Sequence, residues 1–230
     1  MKSKFSIGMV ERNCIFLILT VLNKPTLHEI LFYSPFCALI AIQSRAQDLA
    51  NVLGAFKTAE LPYEFPEGAT STFGDEEFES PYPVVDIDVF NRATGAELPL
   101  ETQLFGVHKM KFDNFYLLVL LEISININNG MENHSFVYYT LNDDGEMIDS
   151  RYACTYSVYD NFQSFVVTET SAKIARGEYA GEEDLLIVEM TEEEDVLNTE
   201  GAHGMRRVTI TTTYNAIDVN GKISNITSPL

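Results

Sequence analysis

The chain has 230 residues, of which 46% are hydrophobic and 21% charged, enough for one globular domain with a real core plus a targeting segment. Fifteen Lys and Arg stand against 34 Asp and Glu, a formal net charge of -19. Such a field repels phosphate backbones and anionic lipid surfaces, so nucleic acid is excluded as an expected partner.

The first 46 residues hold two apolar runs, "CIFLILTVL" (14–22) and "ILFYSPFCALIAI" (30–42). Each is shorter than the ~20 residues that span a bilayer as a helix. The second has the length of a signal-peptide apolar region, preceded by Lys24 and followed by the small residues Ser44 and Ala46. Residues 1–46 are therefore read as a signal peptide cut between Ala46 and Gln47. Its core is 24–46, because a true start later than Met1 accounts for the excess length. A membrane hairpin built from both runs is the competing reading. Cleavage leaves 10 basic and 32 acidic side chains, a net of -22, and no membrane span. It also removes Cys14 and Cys37, so the remaining Cys154 has no partner for an internal disulfide and is expected to be a buried free thiol.

Residues 47–83 read as a short helix and an acidic, proline-bearing lead-in. In "DLANVLGAF", Leu49, Val52, Leu53 and Phe56 recur at i, i+3, i+4 and i+7, the spacing of an amphipathic helix. The stretch 60–83 is loop-like in its prolines, while Tyr63, Phe65, Phe73, Phe78 and Tyr82 predict that it packs on the domain.

From Val84 to Leu230 the pattern is β. "VVDIDVF" (84–90) alternates, with Asp86 and Asp88 on one face, and reads as a strand; no convincing helical period follows residue 60. "FYLLVLLEISININN" (115–129) sets Leu117, Val119, Leu121 and Ile123 on one face, while the other starts apolar and turns polar at Glu122. "RRVTITTTYNAI" (206–217) sets Val208, Ile210, Thr212 and Tyr214 against Arg207, Thr209, Thr211 and Thr213. Turns at Asp144-Gly145 and Asn220-Gly221 mark hairpins, because these pairs supply the positive φ that tight turns need. The expected fold is all-β, an antiparallel meander forming a sandwich or barrel-like domain. "FDNFYLLV" (112–119) and "YDNFQSFV" (159–166) echo one another ahead of the two turns. A duplicated hairpin unit, its second copy interrupted by an acidic insertion at 177–204, would explain the echo.

The succession of aromatic strand, the hairpin Asn142-Asp143-Asp144-Gly145-Glu146-Met147-Ile148-Asp149, and the closing hairpin Gly221-Lys222-Ile223 resembles uncharacterised secreted β-rich proteins of Bacteroidetes-type bacteria. It covers roughly residues 102–226. It implies an exported β protein and no particular activity.

No catalytic, cofactor-binding or metal-binding residue is assigned. His108, His134 and His203 are isolated in sequence and read as surface or loop histidines. "TLNDDGE" and "AIDVNGK" place Thr140, Asn142 and Asp144, or Ala216, Asp218 and Asn220, as in part of a calcium loop. Both lack the first acid and the bidentate Glu at the twelfth position, so hairpin turns are expected. "TEEEDV" (191–196) reads as a solvated acidic loop. Asp86, Asp88, Glu122 and Asp149 are the carboxylates whose convergence in one pocket would signal a hydrolase. The sequence thus points to an extracytoplasmic (periplasmic, outer-surface or secreted) non-enzymatic protein that binds a protein, glycan or small ligand. An exported hydrolase with dispersed carboxylates is the alternative.

Overall fold

The computed structural model describes residues 45–66, 80–125, 132–161, 164–198 and 205–228. The chain divides into two units, Met1–Arg45 and Ala46–Leu230, and the fold below is that of the second. The signal-peptide reading of residues 1–44, with Cys14 and Cys37, lies outside the described residues. Ala46 and Gln47 lie in the first described turn of a helix at 45–54, here α1.

The fold is mostly β and sandwich-like, not a closed barrel. Among the described residues eleven strands follow one another: β1 (Lys57–Thr58), β2 (Tyr63–Glu64), β3 (Val84–Val85), β4 (Gln103–Lys111), β5 (Phe115–Ile125), β6 (Glu132–Asn142), β7 (Met147–Asn161), β8 (Ser164–Tyr179), β9 (Glu182–Asn198), β10 (Met205–Ile217) and β11 (Ile223–Ile226). From β4 to β11 each strand pairs with the next, an antiparallel meander. β7 and β8 pair only at one end, Tyr156–Asn161 against Ser164–Glu169. Beyond that end they part, so β4–β7 and β8–β11 become two layers with a shared core.

That core holds Leu117, Val119, Leu121 and Ile123 of β5, Phe136 and Tyr138 of β6, and Leu186, Val188 and Ile217 from the opposite layer. β5 carries the expected double face: its other side, Leu118 and Leu120, packs beneath the helices. α1 docks through Val52, and Phe56 just beyond its end joins the same cluster, as the spacing predicts. The end of α1 sits so close to β4 that a Cβ on Gly106 would lie 2.9 Å from the Ala55 carbonyl oxygen.

Two readings are corrected here. "VVDIDVF" is not one strand. Only Val84–Val85 pairs, with β4, and Asp86 then caps a helix α2 (Ile87–Thr94) by accepting from the Val89 backbone N–H. Phe90, Ala93 and Thr94 give α2 its buried stripe, and Gly95 at φ 73° ends it. The described part of block 177–204 closes β8 and supplies all of β9, which pairs with β8 along its length and with β10 from Leu186 to Asn198. Last, "TEEEDV" is no loop but part of β9.

The two layers are tied at both flanks. On one, the strap 57–65 pairs with β4 through Lys57–Thr58 and with β8 through Tyr63–Glu64. On the other, β11 pairs with β10 over Tyr214–Ile217, and its Ile223 N–H donates to Asp149 Oδ2 on β7 at 3.3 Å.

Candidate functional site

The β7–β11 flank is only half filled. β10 has 13 residues and β11 has four, so pairing ends at Tyr214 with Ile226. After Ile226 the chain turns aside, and the Thr227 hydroxyl meets the Tyr179 hydroxyl at 3.0 Å. Among the described residues no strand lies along the outer flank of β10 from Met205 to Thr213. On its other flank β10 pairs with β9 without a register shift from Met205 to Ile217. The open flank is therefore a straight edge with a row of backbone donors and acceptors facing away from the sheet.

Side-chain alternation gives this edge two characters. Asn215 and Ile217 point into the sandwich, where the Asn215 amide donates to the Tyr138 hydroxyl at 3.0 Å and links the layers. Arg207, Thr209, Thr211 and Thr213 share that parity and face inward. Val208 and Ile210 therefore face out, and they are 47% and 65% exposed. The apolar set of "RRVTITTTYNAI" is the exterior one.

Between β7 and β10, beyond the end of β11, lies a cavity of about 200 Å³. Tyr152 and Thr155 of β7 line one side, and Thr211 and Thr213 of β10 the other. Thr170, Met190 and Glu192 form its floor. The Thr155 and Thr170 hydroxyls are 3.4 Å apart, and Tyr152 is 61% exposed. On the outer face, level with Val208, the acidic strand β9 carries Asp195, whose carboxylate takes the Arg206 guanidinium in a bidentate pair at 2.7 and 3.0 Å. The site can accept an extended chain along β10 and one side chain into the hollow.

A larger cavity, about 580 Å³, opens at the turn end of the sandwich among Glu60, Asp113, Asp184, Asp218, Lys111 and Arg176. Its polar groups serve the local structure. Asp218 Oδ1 accepts from the Asn220 and Lys222 backbone N–H groups at 2.8 and 2.9 Å, closing the Gly221 turn. Lys111 bonds Asp143 and lies 4.2 Å over the Tyr116 ring, and Arg176 stands 3.8 Å from Asp184. The other calcium-like stretch is likewise a hairpin turn, with Asn142 Oδ1 accepting from Glu146 N–H at 2.8 Å. Among the described residues no group of three or more His, Cys, Asp or Glu is placed to hold a metal ion.

The four carboxylates do not assemble into a site. Asp86 caps α2, Asp88 lies in its first turn, and Asp149 bonds Arg151 at 2.7 Å besides holding β11. Glu122 is 7% exposed and accepts a hydrogen bond from the Tyr139 hydroxyl. Neither cavity is lined by any of the four. Two histidines also differ from the surface reading. His134 is buried on β6, and His108 on β4 shares a 3.0 Å hydrogen bond with the Tyr63 hydroxyl. Burial, then the Lys57 ammonium, lowers the His108 pKa. His203 lies outside the described residues. Cys154 is buried and free, as expected, and burial pushes its thiol up to about 12.

Burial also raises the Glu122 pKa, against the lowering effect of the Tyr139 hydrogen bond. The folded chain thus keeps a proton that the unfolded chain releases near the ordinary value of 4.5. Its stabilising effect is complete below that value and is lost as pH rises through the raised folded value. Glu122→Gln keeps an acceptor for Tyr139 and removes the titration. In urea unfolding, its stability relative to wild type should therefore rise between about pH 4 and about pH 8. An equal difference at both would contradict the assignment.

No protein-family model, no curated protein and no solved structure matches the chain.

Proposed function

We propose that this is an exported, non-enzymatic β protein of the cell envelope or extracellular space that binds a partner at the open seam between β7 and β10. The observation that carries the reading is the unpaired flank of β10, with exposed Val208 and Ile210 beside a hollow of about 200 Å³. Natural sheets blunt such edges with Pro, Lys, bulges or covering loops. Residues 205–213 contain no Pro and no Lys, and their pairing with β9 has no bulge. An edge left open in this way suits a docking surface. Binding is favoured over hydrolysis because the four candidate carboxylates do not share a cavity: Asp86 caps α2, Asp88 is exposed in its first turn, Glu122 is in a buried pair and Asp149 ties β11 to β7. Export rests on the apolar run and the Ser44-Arg45-Ala46 junction, and on the resemblance to secreted Bacteroidetes-type proteins.

Site-directed crosslinking tests both parts. A photoreactive group is placed at Ile210→Cys, or at Val219→Cys beside the turn-end cavity, where the wild-type side chain is 54% exposed. In intact cells the labelled protein should be recovered outside the cytoplasm, with a discrete adduct formed from position 210 and none from 219. Adducts from 219 alone would move the site to the turn end, and retention in the cytoplasm would contradict export.

A further inference from the structure

Granting that the seam is the binding site, we infer that its occupant is an extended, basic segment of another protein that adds as a strand to β10 and continues the line that β11 begins. β11 already shows the mode: four residues pair with the lower end of β10 and fill the gap to β7. Arg206 to Thr213 offer eight more residues of the same edge, a length of roughly 27 Å for an added strand. Pairing would satisfy the backbone groups of that edge and give affinity, while alternate side chains give specificity.

The two faces specify those side chains. On the outer face the incoming strand meets Val208 and Ile210, so alternate positions are apolar. On the inner face it runs above Thr209, Thr211 and Thr213, with Glu194 across from Thr209 and Glu192 across from Thr211 on β9. Long cationic side chains at the intervening positions lean over β10 toward these carboxylates, which lie two strand spacings away, about 10 Å, and the glutamate side chains span part of that distance. The wider field agrees, because the chain carries a net of -19 and four successive acids, Glu192 to Asp195, lie on the strand next to β10. The same charge argues against a second copy of this chain, since edge-to-edge pairing would bring the two acidic β9 strands together across their β10 neighbours.

The probe is a nine-residue acetylated peptide that alternates Val and Lys, titrated onto the purified protein by calorimetry and followed by amide exchange. It should bind saturably, slow exchange within Arg206–Thr213, and weaken with added salt. N-methylation of every second amide gives two complementary peptides. The set that faces β10 should lose at least about tenfold in affinity and the other set should not, because only the first removes the backbone hydrogen bonds to the edge. Replacing Lys by Glu should cost at least as much, and the double variant Val208→Lys, Ile210→Lys should abolish binding. Binding without protection of residues 206–213, or equal loss for both N-methylated sets, overturns strand addition. Equal binding of the Glu peptide overturns the basic class. A dimer in sedimentation that Ile210→Lys dissolves makes the occupant a second copy and overturns the assignment. If position 210 crosslinks a partner while the peptide fails, the seam remains the site and only the strand chemistry is wrong. If position 210 yields no adduct, the seam reading itself fails, whatever the peptide does.

Discussion

A chain lacking residues 177–204 is expected to give no cooperative unfolding transition in urea. The deletion removes Leu186 and Val188 from the main core and Leu185 and Ile187 from a small cluster on the outer face of the second layer. It also removes the strand that pairs with β8 on one side and β10 on the other. β10 can take its place beside β8 only by reversing its direction, which carries β11 to the other end of the sheet, away from Asp149 of β7, and leaves the faces unmatched. These four buried aliphatic side chains, at roughly 2–5 kcal/mol each and on the order of 10 kcal/mol together, match the whole stability of a typical domain. The control is Val208→Lys, Ile210→Lys, two exposed positions that should stay within about 0.5 kcal/mol of wild type per site. A cooperative transition in the shortened chain would mean that β9 is dispensable and would undo the two-layer account.

Tyr138 should be the most sensitive single position. It is fully buried, the largest of the side chains so enclosed, and lies in the core between the layers. Phe65 meets its ring edge-on at 6.3 Å, and Asn215 of the opposite layer donates to its hydroxyl. Tyr138→Ala removes an aromatic ring from a closed core, a loss of about 3–5 kcal/mol. Tyr138→Phe keeps the ring and takes away the acceptor of the Asn215 amide, which is 3% exposed. It should cost about 1–3 kcal/mol, the penalty for a buried donor left without its bond. Denaturant midpoints at constant slope measure both. A Phe variant as stable as wild type would show that the bond between layers contributes nothing.

These two cases divide what the sequence makes legible from what it hides. β5 is legible because both of its faces are apolar, and Tyr138 lies in the opposite strand, so the meander around them follows from period and turns. The Gly145 and Gly221 hairpins are legible because each needs positive φ, and both have it, at 83°. α2 is hidden by coincidence. Val85, Ile87 and Val89 alternate as a strand would, yet the capping Asp86 and the Gly95 stop were both present as signals. β9 is hidden by its acids, since "TEEED" has poor strand propensity and pairs only because β8 and β10 flank it. The candidate site is hidden because alternation alone does not say which face is inside. Val208 and Ile210 form the more apolar face of β10, yet Asn215 and Ile217, of the opposite parity, are the ones that point into the sandwich. The clue was the disparity between a long β10 run and the short "ISNI" after its turn, which leaves an edge open.

That open edge is the centre of the account, and residue-resolved amide exchange on the isolated protein tests it most directly. From Arg206 to Thr213, amides directed at β9 should exchange slowly and the alternate amides, directed at the seam, should exchange rapidly. From Tyr214 to Ile217, where β11 covers the second flank, both sets should be slow. Uniformly slow exchange from Arg206 to Thr213 would show that the edge is already covered, and would contradict the seam as a docking surface.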